Sequence, residues 1–305
     1  MANPVPLYLS PNYERLAGDG PPDRMDVLRE FATRGYVVIE PDFGDFDALA
    51  DAAVRDLAGR YGAANRVQDG WQDSDAVRAI ASHPEILDTL ELLYGRKAFP
   101  FQTLNFEVGT QQKTHSDTIH FDSLPRGFMA GVWVALEDVD YDNGPLQYYP
   151  GSHRLHHFDL GELGGRDART GGQQDGFSYS RFYEPAIAQL VSDQALEPEF
   201  GLLKKGQALI WSANLLHGGS PIKDQTRTRH SQVTHYFFDN CAYLTPLLGD
   251  QVAGYSLFRQ PIDIRDGSVR TGTYGAEPID ARQVRRHSIL RQVMRGLGRI
   301  GRKAA

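Results

Sequence analysis

Gln111–Ser123 reads QQKTHSDTIHFDS, and the fold turns on how it is read. It holds two His-x-Asp triplets, His115-Ser-Asp117 and His120-Phe-Asp122. On an extended strand, residues i and i+2 point to the same face. An imidazole nitrogen and a carboxylate oxygen two residues apart can then approach one metal ion from one side. Two histidines and one carboxylate with open positions form the donor set of mononuclear non-haem Fe(II) sites. One triplet supplies two of the three donors, so another histidine must come from a distant strand. A single His-x-Asp is a weak signal, because the spacing is common by chance.

Downstream, Gly206–Pro221 reads GQALIWSANLLHGGSP. Its apolar run ends at His217, and the following Gly218-Gly219 lets the chain approach a metal without crowding. Then comes Thr226–Phe238, TRTRHSQVTHYFF. If this is one extended strand, Arg227, Arg229, Ser231, Val233, His235 and Phe237 share a face. An inward arginine is costly unless a carboxylate meets it. Its planar fork suits bidentate carboxylate binding, so an organic acid would satisfy it. For one of the two arginines, an exposed edge position is the simpler expectation.

The texture around these segments is that of a β protein. Phe101–Glu107, Thr118–Phe121, Gly127–Leu136, Leu146–Tyr149, Gly206–Trp211 and His230–Phe238 are short β-branched or aromatic runs. Turn residues separate them, which predicts a sandwich or barrel rather than βαβ units. Before Pro100 the pattern is helical. Asp26–Arg34, Phe46–Tyr61 and Asp75–Tyr94 have apolar residues at helical spacing, the last broken near His83-Pro84. Tyr36–Glu40 is a short strand between them. Leu160–Phe177 carries six glycines and reads as a lid-like insertion or, equally, as a floppy surface loop. The expected organisation is one domain over residues 1–280, with that insertion around 160–177, and a tail over 281–305.

The chain has 305 residues and a net charge of −7. The tail holds eight Lys and Arg and no acidic residue, leaving 24 basic against 39 acidic groups before it. An acidic body argues against nucleic-acid binding. No apolar run approaches the length of a membrane span, and no secretory leader is visible. Cys241 is the only cysteine, which excludes an intrachain disulfide and a cysteine-based metal site. A cytoplasmic setting follows as the default. The tail is weakly amphipathic, so contact with an anionic membrane surface is the lesser expectation and docking on the acidic body the greater.

In order along the chain, these residues resemble the phytanoyl-CoA dioxygenase family of Fe(II)/2-oxoglutarate oxygenases. The resemblance runs from about Asp26 to Phe238. It includes REFATRGYVVIE, His115-Ser-Asp117, Trp133-Val-Ala-Leu-Glu-Asp138, Asn143-Gly-Pro-Leu146, Pro150-Gly-Ser-His153, His217-Gly-Gly and Arg229 before His235-Tyr236. It implies a double-stranded β-helix, the jelly roll of the cupins, mainly β with flanking helices. It implies Fe(II) held by His115, Asp117 and His217, which would carry the catalysis. His115 lies 18 residues before Trp133 and His120 lies 13 before it; the longer spacing looks more like the family. If the strand stays extended, His120 and Asp122 project to the other face and line the active-site entrance or the surface. Arg227 is ten residues after His217 and Arg229 twelve, on either side of the family spacing. The His-Tyr pair that follows favours Arg229 as the anchor of the 2-oxoglutarate carboxylate, with Trp133 and Ser220 nearby.

The same resemblance implies O2 as co-substrate, with hydroxylation of a small molecule and release of succinate and CO2. Related halogenases lack the carboxylate that Asp117 provides, which favours hydroxylation here. The insertion, Arg126, Tyr148 and Tyr149 are expected to shape the substrate side. Two other readings use the same residues: a metal-dependent hydrolase, and a jelly-roll binding protein without catalysis.

Overall fold

The computed structural model describes residues 4–18, 21–62, 65–165, 178–249, 256–275 and 277–279. The basic tail and residues 166–177 of the insertion lie outside the described residues. Six α-helices are present among them: α1 (Tyr13–Ala17), α2 (Pro22–Arg34), α3 (Phe46–Leu57), α4 (Asp75–Ala81), α5 (Pro84–Tyr94) and α6 (Glu184–Asp193). The first strands are β1 (Tyr36–Ile39), β2 (Arg66–Gln68), β3 (Ala98–Phe106), β4 (Asp122–Leu124) and β5 (Met129–Ala135). Then come β6 (Leu146–Tyr148), β7 (Glu199–Phe200), β8 (Ala208–Ser212), β9 (His217–Gly219), β10 (Ser231–Phe238) and β11 (Ala242–Leu244).

Six strands form the larger sheet in the order β1-β8-β5-β10-β3-β2, every neighbouring pair antiparallel. A smaller sheet, β7-β6-β9, is also antiparallel. A bridge between His115 and His217 adds one more residue to its edge. The two sheets make the jelly roll. Neighbours in space are distant in sequence, as in Greek-key connections, so the site draws on strands far apart in the chain.

Period-two alternation explains how the larger sheet covers two cores at once. On β5, Ala130, Val132 and Val134 face a core shared with the helices, while Trp133 and Ala135 face the other way. On β8, Ala208 and Ile210 take the helix side, and Leu209 and Trp211 the opposite side. Helices α2, α4 and α5 fill the first core with Leu28, Phe31, Val77, Ile80, Leu90 and Tyr94. The second core lies between the sheets, and the candidate site opens from it.

The early helices and strands follow the pattern expected. Helix α4 starts where the Ser74 hydroxyl accepts from the Val77 N–H. Helix α5 begins at Pro84 and ends on Gly95, whose φ of 72° suits glycine. Three local readings need correction. Thr118–Phe121 is not a strand: Asp117–Ile119 is a turn of 3-10 helix. Ser116 captures the Thr118 N–H at 3.2 Å and starts that turn. Arg227 and Arg229 precede β10 rather than lying on it. Helix α6 falls where no helix was expected.

Candidate active site

His115, Asp117 and His217 come together from three local settings. His115 pairs with His217 through two backbone hydrogen bonds of 2.8 and 2.9 Å. His217 opens β9 and faces Tyr148 of β6. Gly218 permits this approach, since a Cβ there would lie 2.7 Å from the Gln112 carbonyl. Asp117 enters from the first position of the 3-10 turn. One ligand atom from each residue lies within 4.8 Å of the others, and all three side chains are buried.

The proton inventory is decisive for metal binding. His115 Nδ1 donates to the Lys113 carbonyl at 2.9 Å. His217 Nδ1 donates to the Leu215 carbonyl at 2.9 Å. A ring nitrogen that faces a carbonyl carries the hydrogen, so each Nε2 presents a lone pair. Both Nε2 atoms lie 3.8 Å from Asp117 Oδ1. Burial pushes the His115 pKa down to about 3, and the adjacent His217 adds to the shift. Burial alone would raise the Asp117 carboxyl. The facing His217, His235 and His115 rings and a bond from Trp211 outweigh it and hold it below the usual carboxylate range. In the neutral tautomer that these bonds select, the two Nε2 lone pairs and a carboxylate oxygen converge. That is the charge and proton state a divalent metal requires. The Gln112 amide nitrogen, 3.2 Å from His115 Nε2, is the donor at that lone pair.

Arg229 lines the same cavity, which has a volume of about 200 Å³. It is buried, and its guanidinium carbon stands 5.1 Å from the Trp133 ring and 5.9 Å from that of Phe106. Its Nε has no hydrogen-bond partner among the described residues. Burial lowers its pKa to about 10, partly offset by Glu137, so it stays cationic at neutral pH. A buried, charged fork with an idle donor is chemically suited to an anion. Arg227, by contrast, is on the surface in an ion pair with Asp140 at 2.8 Å. Trp133 also lines the cavity. Ser220 does not; it is buried behind Gly219 and its hydroxyl donates to the Pro145 carbonyl at 2.7 Å.

The second triplet is split. His120 lines the cavity, its ring 6.1 Å from that of His115. Asp122 turns away on β4, where its Oδ1 accepts from the Ser123 and Gly127 N–H groups. Neither belongs to the metal-donor cluster, but His120 does not point to an opposite face as an extended strand would require. Tyr148, Tyr149 and Arg126 do not line the cavity among the described residues. Residues that line it without having been anticipated include Arg66, Gln68, Gln102, Gln112 and Trp211. For Trp211 a clue was present, since a buried indole N–H needs an acceptor.

With this geometry in place, comparison with known proteins places the chain. The sequence profile of the family described as phytanoyl-CoA dioxygenase matches residues 31–231. This chain belongs to the phytanoyl-CoA dioxygenase family. It is 27% identical over 191 residues to the peroxisomal phytanoyl-CoA dioxygenase of Bos taurus, covering 59% of this chain and 51% of that protein. It is 25% identical over 212 residues to the ectoine dioxygenase of Sphingopyxis alaskensis, covering 62% and 68% respectively. This member therefore spans about half the length of the bovine enzyme it matches. Among solved structures, it resembles the epimerase SnoN of nogalamycin biosynthesis in complex with Fe3+, alpha-ketoglutarate and nogalamycin RO. The TM-score is 0.57 at 21% identity, over 86% of this chain and 97% of that one. At that identity the likeness shows the fold.

Proposed function

We propose that this family member is an Fe(II)- and 2-oxoglutarate-dependent dioxygenase that hydroxylates an aliphatic C–H bond of a small metabolite or natural-product intermediate. The observation that carries the reading is one cavity with two complementary needs. His115, Asp117 and His217 offer three converging donor atoms, and Arg229 offers a buried cation without a carboxylate partner among the described residues. A dicarboxylate that also binds the metal answers both. The relatives agree in kind: SnoN is described with iron and alpha-ketoglutarate, and two curated relatives are dioxygenases.

The residues present fit the metal, and His115 Nε2, Asp117 Oδ1 and His217 Nε2 would hold it. When bound, iron with 2-oxoglutarate supplies the oxidation, in which O2 puts one oxygen atom into succinate, formed with loss of CO2, and the other into the substrate C–H bond. The chain's own residues do the rest. Arg229 binds the far carboxylate of the co-substrate and fixes its direction. Trp133 and Phe106 wall that end and keep water from the ion pair, which strengthens it. A metal held by His115 Nε2 would take the place of the Gln112 amide there, and that amide would then be free to donate to a bound ligand. His120, Gln102 and His235 border the space left for the substrate.

A metal-dependent hydrolase would need the same three donors but has no use for Arg229. The two readings separate in one assay with Fe(II) and 2-oxoglutarate. The oxygenase reading expects oxygen uptake with matching succinate, both lost in Asp117→Ala. A hydrolase shows neither.

A further inference from the structure

Asp117 gives its two carboxylate oxygens to different neighbours. Oδ1 faces the two histidine nitrogens at 3.8 Å. Oδ2 is turned to the larger sheet, where it accepts from the Trp211 Nε1–H at 2.8 Å. An indole nitrogen only donates, so the sense of this bond does not depend on a tautomer. The other neighbour of Oδ2 is His235 Nε2, which at 3.8 Å is beyond hydrogen-bond distance. The Nδ1–H of His235 is directed instead at Gln102 Oε1, 3.0 Å away.

The fold holds the indole in place. Trp211 pairs with Tyr36 of β1 on one side and Gly131 of β5 on the other. A Cβ at residue 131 would lie 2.2 Å from the indole ring, so glycine there leaves the room the ring occupies. Asp117 is 4% and Trp211 2% exposed, which limits competition from bulk water for the bond.

We propose that Trp211 is a positioning residue that keeps Asp117 a one-oxygen metal ligand. The inference rests on the reading of His115, Asp117 and His217 as the metal donors. A carboxylate free to rotate can give both oxygens to a metal. The second oxygen would then take a position that the co-substrate or O2 needs. With Oδ2 held by a fixed N–H, Oδ1 alone is offered, and its direction is set before the metal arrives. Partners of this kind behind a metal ligand are worth ~10–100-fold in metal affinity.

The test uses Co(II) as the probe on the full chain, titrated by calorimetry and by visible absorption. Trp211→Phe keeps the ring and removes the donor. Expected are binding weaker by ~10–100-fold, a changed Co(II) absorption spectrum, and a metal-free melting temperature close to wild type. In an Asp117→Ala background, Trp211→Phe should cause no further loss. A second measurement needs no Trp211 variant. The chain has three tryptophans, so 15N-Trp labelling gives three indole signals. The Trp211 indole proton should move upfield in Asp117→Ala. Wild-type Co(II) affinity and spectrum in Trp211→Phe, or an unmoved indole signal, overturns the proposal. If Asp117→Ala itself leaves Co(II) affinity intact, the donor reading falls, and this inference with it.

Discussion

Asp117 and Asp122 sit five residues apart in near-identical triplets, yet their surroundings drive them in opposite directions. Asp117 faces imidazoles and an indole N–H and stays ionised. Burial pushes the Asp122 pKa up to about 6, against smaller opposing effects from two backbone N–H groups and Arg126. A carboxyl raised in the folded state binds its proton more tightly there than in the unfolded chain. Its contribution to stability is therefore full below about pH 4 and is lost as pH rises to about 6. Asp122→Asn retains Oδ1 as acceptor for both N–H groups. Relative to wild type, it should gain on the order of 2 kcal/mol between pH 4 and pH 7, read from denaturant titrations. Arg229→Gln removes the charge but keeps a polar side chain. Its 2-oxoglutarate dissociation constant should rise by roughly 30–100-fold, the loss of a buried charge-assisted bond. Arg227→Gln, at the surface, should leave it unchanged. The residue types of the metal site were legible in the sequence because His-x-Asp and a distant His-Gly-Gly are rare in combination. The choice between arginines had a physical basis that only the fold supplies: one is solvated beside Asp140 and the other is not. The contact of His235 with Gln102 was not legible, since it runs between two strands, and that of Gln112 with His115 depends on a turn that the alternation does not show.

At the scale of elements, the site depends on close backbone approach. The pairing of His115 with His217 on the smaller sheet is possible because Gly218 lacks a Cβ. In Gly218→Ala the new methyl would meet the Gln112 carbonyl at 2.7 Å, a backbone atom with little freedom to move. We expect a loss of about 1–3 kcal/mol in stability and a larger fall in Co(II) affinity than in any substitution outside the cavity. Calorimetry on the variant reads both. Helices α2, α4 and α5 and strands β5, β8 and β10 were readable from periodicity, caps and prolines. Strands β4, β7 and β9 were not, because two or three residues carry no period. The turn at Asp117–Ile119 was misjudged as strand because the triplet was treated as extended. The Ser116 side chain, not the alternation of apolar residues, sets the backbone there.

Over the whole molecule, two cores meet along one sheet, and the described C-terminal segment closes onto it. Ile264 donates to the Pro100 carbonyl at the start of β3. Asp263, fully buried, binds both Arg265 and Arg270 at 2.7 and 2.6 Å. Asp263→Ala would take the close partner from Arg265 and leave Arg270 only Asp239, 3.7 Å away. It should cost about 2–3 kcal/mol after allowance for solvent screening at the arginines, seen as a lower denaturation midpoint without change in metal affinity. Among the described residues, no helix is long and apolar enough to cross a membrane. A sandwich or barrel was legible from the short strands after Pro100, and the family resemblance narrowed it to a jelly roll. The pairing order was not, since sequence separation says nothing about which strand lies beside which. The central claim is that one cavity holds a metal through Asp117 and a dicarboxylate through Arg229. Its most direct test is release of labelled CO2 from 1-14C-2-oxoglutarate with Fe(II), in wild type, Asp117→Ala and Arg229→Ala. The account predicts turnover in wild type, none above background in Asp117→Ala, and recovery in Arg229→Ala only at much higher 2-oxoglutarate. Equal release from all three proteins would contradict it.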